Sequence, residues 1–123
     1  MKIPDGYQTL MPYLIVEDAA KFIDIMKKVF AAEEKLRIPR SENVIMHAEI
    51  KVGDCVIMLA DATAEFKSRA GGFFIYVENA DATYEMALEN GATSIMPPAD
   101  REYGRSCGVQ DAFGNTWWPT TPN

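Results

Sequence analysis

The chain is written twice. Residues 44–59 read as an alternating strand, a turn at Gly53-Asp54 and a returning strand, CVIML. Residues 101–118 have the same outline, with a turn at Phe113-Gly114-Asn115 and a return that carries two tryptophans; Gly114 lies 61 positions after Gly53. The same offset lays Tyr13-Leu14-Ile15-Val16-Glu17 over Phe74-Ile75-Tyr76-Val77-Glu78. Repetition of this kind constrains the fold more than any local propensity, because each copy has to build the same supersecondary unit.

In the first copy, residues 9–16 (TLMPYLIV) form a mostly apolar strand. Pro12 has no N–H to give, which places that strand at an edge or bulges it. Asp18 caps the helix that follows. Ala19, Phe22, Ile23, Met26, Val29 and Phe30 recur at helical spacing, the stripe of a helix packed on a sheet. A short strand over 33–39 and a polar turn over 40–43 lead into residues 44–52. There Val44, Met46, Ala48, Ile50 and Val52 take one face, and Ile45, His47, Glu49 and Lys51 take the other. The return over 55–60 gives way to a polar, mobile loop over 61–70.

The second copy repeats the plan. A strand over 73–78 leads to a helix capped by Asn79 or Asp81 and ended at Gly91, where a left-handed conformation suits glycine. Pro97-Pro98 breaks the next strand, over 93–96, and opens a loop to Tyr103. The closing hairpin calls for a type I′ turn, with positive φ at Gly114 and Asn115. The order is βαβββ, then βαβββ. Strands outnumber helices, so the class is α+β rather than a doubly wound parallel sheet. The expectation is one domain made of two modules, about 7–61 and 71–121.

Composition excludes several classes. At 48% hydrophobic residues, the chain can fill a core and is not disordered. No apolar run approaches the roughly 20 residues of a membrane span. The N-terminus, MKIPDGYQTL, lacks the apolar core of a signal peptide, so a cytoplasmic protein is expected. A net charge of −6 argues against nucleic acid as a partner. Cys55 and Cys107 show no metal or redox spacing and read as buried free thiols.

The string Asp111-Ala112-Phe113-Gly114-Asn115-Thr116-Trp117, closing a duplicated βαβββ layout, resembles the glyoxalase/bleomycin resistance/dioxygenase (vicinal oxygen chelate) superfamily. His47-Ala48-Glu49-Ile50, Gly53-Asp54 and Tyr103-Gly104-Arg105 are similar to its PhnB-like glyoxalase subgroup. Ala112 departs from the proline usual there. The resemblance implies curled mixed sheets enclosing a cleft, a homodimer and, as the family default, a divalent metal such as Ni, Zn or Fe. The implied ligand positions fall on Met11, Ile57 (or its neighbour Met58), Gly72 and Trp118. None is a metal-binding residue, so no cofactor is expected. The single histidine, His47, argues independently against a two-histidine iron site.

Period-2 alternation outward from those positions gives an aromatic and aliphatic wall: Met11, Tyr13, Ile57, Leu59, Gly72, Phe74, Tyr76 and Trp118. Such side chains either line a small-molecule cleft or fill the space between sheets. Tyr103 and Arg105 stand at a loop beside it. Arg105 carries a forked donor set that suits a carboxylate or phosphate at a cleft mouth, or an ordinary surface ion pair. His47 and Glu49 share a strand face, either as a general acid/base pair or as a solvated polar row with Lys51. Three functions follow: binding of an aromatic or amphipathic small molecule without a metal; a metal-dependent lyase or isomerase of the glyoxalase type; or a filled module whose role is dimerisation.

Overall fold

A computed structural model describes residues 1–123. The elements run β1 (Tyr13–Val16), α1 (Ala19–Phe30), β2 (Glu33–Ser41), β3 (Val44–Val52), β4 (Cys55–Asp61), β5 (Gly72–Tyr76), α2 (Ala80–Glu89), β6 (Thr93–Arg101), β7 (Gly104–Gln110) and β8 (Thr116–Thr121). This is βαβββ twice, an α+β fold of two modules. Two units separate, residues 1–27 with 31–69 and residues 28–30 with 70–123. No helix is long and apolar enough to cross a membrane.

In the first unit the strand order is β1-β4-β3-β2. β1 runs parallel to β4 and the other pairs are antiparallel. β1 is an edge strand, as Pro12 requires, but it begins only at Tyr13. Leu14, Val16, Ala48, Ile50 and Leu59 are buried on one face. α1 buries Phe22, Ile23 and Met26, the stripe read from the sequence. Asp18 accepts from the Lys21 N–H and caps the helix. The helix ends at Ala31 in the left-handed conformation, an uncommon place for a residue with a Cβ.

Asp61 does not belong to a mobile loop. It closes β4, is buried, and its carboxylate accepts from the Ala19 N–H at 2.9 Å and the Ile45 N–H at 2.6 Å. A carboxylate that satisfies two backbone donors at a helix start is held inside rather than left to water.

The second unit repeats the order as β5-β8-β7-β6. Asn79 caps α2 through the Ala82 N–H. The Thr121 hydroxyl accepts from the Ala80 N–H at 2.7 Å, the counterpart of Asp61. Phe73, Trp117 and Phe30 stack into the buried face, with centroids 4.6 and 4.7 Å from Trp117.

Two expectations in this unit are corrected. Pro97-Pro98 does not end a strand: β6 continues to Arg101, with a register shift between Met96 and Ala99. β6 is an edge strand, and a bulge there absorbs the two missing N–H groups. The closing turn is not type I′. Gly114 has φ 86°, but Asn115 does not have positive φ. The chain instead makes a wider loop around Asp111. Asp111 Oδ1 accepts from the N–H groups of Phe113 and Asn115, both at 2.9 Å. Its Oδ2 accepts from Asn115 Nδ2 at 3.2 Å and Trp117 Nε1 at 2.8 Å.

Candidate functional site

Each sheet has a second face, opposite its buried one, and most of the candidate site residues lie on these faces. In the first unit the register sets Tyr13 beside Met58, Met58 beside Glu49, and Glu49 beside Leu36. His47 lies one pleat away beside Ile38. The alternation that put His47 and Glu49 on one strand face therefore brings both to Tyr13. Ile57 is corrected here. It pairs with Ile50, is 4% exposed and belongs to the buried face, as does Leu59. Its neighbour Met58 shares the face with Tyr13. Met11 lies half-buried ahead of β1.

These side chains form one hydrogen-bonded chain. The Tyr7 hydroxyl donates to Glu49 Oε1. His47 Nε2 lies 2.9 Å from Glu49 Oε2, and His47 Nδ1 lies 3.0 Å from the Tyr13 hydroxyl. Glu49 is 5% exposed, so it is not the solvated residue of a polar row. Tyr13 is 50% exposed. Lys35 lies over the Tyr7 ring at 4.3 Å from its centroid. Tyr7 escaped the sequence reading, because nothing in a loose N-terminal segment marks a residue that folds back onto a strand 42 positions on, and with it went the Lys35 of β2 that covers its ring.

Burial alone would push the Glu49 carboxyl up. The hydrogen bonds from Tyr7 and His47, with the charge of Lys35 and the charge that His47 carries only when protonated, outweigh it and hold Glu49 below the ordinary glutamate range. A carboxyl depressed in the fold contributes stability that is present above its unfolded titration and is lost as pH falls through the folded value. Glu49→Gln is therefore expected to lower stability at neutral pH, with the gap to wild type closing on the acid side of the ordinary glutamate titration. Urea midpoints measured across that window test this; a gap that widens on acidification would contradict it.

In the second unit the register sets Phe74 beside Trp118 and Tyr76 beside Thr120. Phe74 and Tyr76 meet edge to face with centroids 5.2 Å apart, and Tyr103 stands 6.4 Å from Phe74. Phe74, Tyr76 and Tyr103 are 52%, 63% and 53% exposed. Trp118 lies across Gly108: a Cβ there would meet the indole at Cζ3, and at 2.7 Å from Cε3. The station that Glu49 holds in the first sheet is thus held by a glycine in the second, and an indole takes the space. One scaffold carries a polar chain in one copy and an aromatic shelf in the other.

Arg105 is corrected as a cleft residue. It points to the α2 side of the sheet, where in an exposed cluster Nε and Nη2 bind the two Asp81 carboxylate oxygens of α2 at 2.9 and 3.0 Å, and Nη1 reaches Asp100 at 3.3 Å. The pairing with Asp81 and Asp100 holds the guanidinium above its ordinary value, and Asp81 is lowered in turn. This is the ion-pair alternative, and it ties α2 to β7.

The positions that the resemblance gives to a divalent metal do not fit one. Met11, Met58, Gly72 and Trp118 offer no hard donor, and no three His, Cys, Asp or Glu side chains converge anywhere to hold an ion. His47 and Glu49 already spend their facing atoms on each other. Cys107 is buried and Cys55 half-buried, both free. Burial pushes the Cys107 thiol up to about 11, the value of an unreactive thiol.

Comparison with known proteins bears on the fold and the family. A protein of Mycobacterium bovis is 32% identical over 120 residues, spanning 88% of this chain and 79% of its own length. One from Mycobacterium tuberculosis is 32% identical over 120 residues, spanning 71% of its own length. Among solved structures, TioX from Micromonospora sp. ML1 has a TM-score of 0.76 at 20% identity, over 94% of this chain and 99% of its own. A PhnB protein from Bacillus cereus has a TM-score of 0.76 at 17% identity, over 93% and 99% of the two chains. The fosfomycin resistance protein FosX from Mesorhizobium loti has a TM-score of 0.69 at 20% identity, over 98% and 95%. At these identities the structural likeness is one of fold. The model of the Glyoxalase/Bleomycin resistance protein/Dioxygenase superfamily matches residues 8–118. With duplicated βαβββ modules and that match over most of its length, the chain belongs to the glyoxalase/bleomycin resistance protein/dioxygenase superfamily.

Proposed function

We propose that the chain binds an aromatic or amphipathic small molecule on the Phe74 face, without a metal. The observation that carries this is the aromatic shelf of exposed Phe74, Tyr76 and Tyr103 with half-buried Trp118, set on the sheet of the second unit. Apolar surface of that kind, left uncovered, marks a contact site. Aromatic rings stack on it with roughly 0.5–1.5 kcal/mol beyond area burial. The acidic balance of the chain favours a neutral or cationic ligand over an anion. The superfamily resemblance extends the reading to a homodimer, and the two free thiols suit the reducing cytoplasm. The lyase or isomerase chemistry that needs a metal finds no donor set among these residues.

The two tryptophans make the test clean, since Trp117 is buried and Trp118 is not. Planar neutral and cationic aromatics are expected to quench Trp118 saturably, and Trp118→Phe to abolish the signal. Gly108→Ala separates binding from folding. Its new Cβ must displace the indole, but the ring is partly exposed and can swing out. We expect at least a tenfold loss of affinity, about 1.4 kcal/mol, with a smaller change in unfolding free energy. An absence of saturable quenching across the panel would sink the binding reading.

A further inference from the structure

We propose that the Tyr13 face of the first unit is a metal-free proton-transfer site, in which Tyr13, backed by His47 and Glu49, tautomerises a small enolisable carbonyl compound. The inference stands on the first unit alone and does not rest on ligand binding at the Phe74 face.

The direction of the hydrogen bonds carries the argument. An ionised carboxylate only accepts. Glu49 takes the Tyr7 proton on Oε1, so its Oε2 takes an N–H from His47 Nε2. A neutral imidazole has a single N–H, which makes His47 Nδ1 an acceptor. The Tyr13 hydroxyl, 3.0 Å away, therefore donates to it. The order is hydroxyl, imidazole, buried carboxylate, the donor order of a serine–histidine–aspartate triad with a phenol in place of the serine.

Exposure is graded to match. Glu49 is buried, His47 half-buried and Tyr13 open. Anchoring of the N-terminal segment explains Tyr7 and Glu49. It does not explain why the chain of bonds runs on through His47 to a phenol facing outward. Leu36 and Ile38, beside Glu49 and His47 in the register, are exposed apolar neighbours for a hydrocarbon group. Lys35, over the Tyr7 ring, offers a charge to a carboxylate.

The step balances without a co-reactant. Tyr13 Oη takes a proton from the carbon beside the carbonyl as its own proton passes to His47 Nδ1. The C–H electron pair becomes the C=C bond of an enolate, and the imidazolium rests against Glu49. Tyr13 then protonates the enolate oxygen and is reprotonated from His47 Nδ1. Nothing is oxidised or reduced.

Phenylpyruvate is the probe, having an acidic C–H, a ring and a carboxylate. In D2O, wild-type protein is expected to speed loss of its benzylic proton signal above the buffer rate. Tyr13→Phe and His47→Gln are expected to lower that rate about 100-fold, the scale of general acid–base catalysis. Tyr13→Phe removes one half-exposed hydroxyl and should leave the melting temperature in place. Because His47 is the sole histidine, long-range 1H–15N NMR reads its tautomer directly. The unprotonated nitrogen should be Nδ1, and its resonance should move in Tyr13→Phe. Wild type no faster than buffer, Tyr13→Phe as fast as wild type, or a protonated Nδ1 in the neutral ring would each overturn the proposal.

Discussion

Replacing Asp111 by alanine is expected to cost about 3–5 kcal/mol, the scale of a buried charged partner removed from its hydrogen bonds. Four donors converge on this one carboxylate, two from the loop backbone, one from Asn115 and one from the Trp117 indole. Trp117 is 2% exposed, so its N–H cannot turn to water when the acceptor goes. The Asn115 amide also accepts from the Gly71 N–H at 2.8 Å, so the loss reaches the start of β5. Asp111→Asn is the informative control. It keeps an oxygen for the backbone pair but sets an amide N–H against either Asn115 or the indole. Its cost should fall between wild type and alanine. Equilibrium urea unfolding of the three chains measures this, and a loss below about 1 kcal/mol for alanine, the worth of one ordinary hydrogen bond, would show that the loop is not built on Asp111.

Gly104→Ala is expected to cost about 3 kcal/mol, combining strain at a backbone conformation that glycine alone adopts freely with a forced displacement of the neighbouring strand. Gly104 has φ 139°. A Cβ there would run into the Thr121 carbonyl oxygen and stand 3.2 Å from Pro122 Cα. Both obstacles are backbone, so neither can rotate away, unlike the indole over Gly108. The displacement also touches function. Gly104 separates Tyr103, on the aromatic shelf, from Arg105, clamped to α2. A chain that still folds should show a shifted Tyr103 environment and weaker ligand quenching of Trp118. Thermal and urea unfolding together would expose a wrong reading if the variant matched wild type.

The architecture was legible because its signal is long-range and redundant. A 61-residue offset, a stripe at helical spacing and two clean alternations each point to the same unit, and agreement across levels is what a foldable sequence displays. Asp18 and Asn79 could be named as caps because capping is a local bond. The misplacements share one cause. Pro97-Pro98 reads as a break only until β6 is known to be an edge strand. Ile57 and Met58 are adjacent, and a one-residue choice of register moves a side chain to the other face. The turn at Gly114-Asn115 looks like a two-residue hairpin unless Asp111 is seen to gather its donors.

The sequence by itself determined the fold class, the duplicated order of elements and which residue types are present for chemistry, because these depend on periodicity and on composition, and the Asp111–Trp117 string carried the resemblance to the superfamily. Only the tertiary structure decided which of those residues meet. It joined Tyr7, Glu49, His47 and Tyr13 into one hydrogen-bonded chain, took Arg105 away to Asp81, and laid Trp118 over Gly108. Those meetings depend on register across strands and on a terminal segment folding back over a sheet. They are set by packing between residues far apart in the chain, which no local pattern encodes.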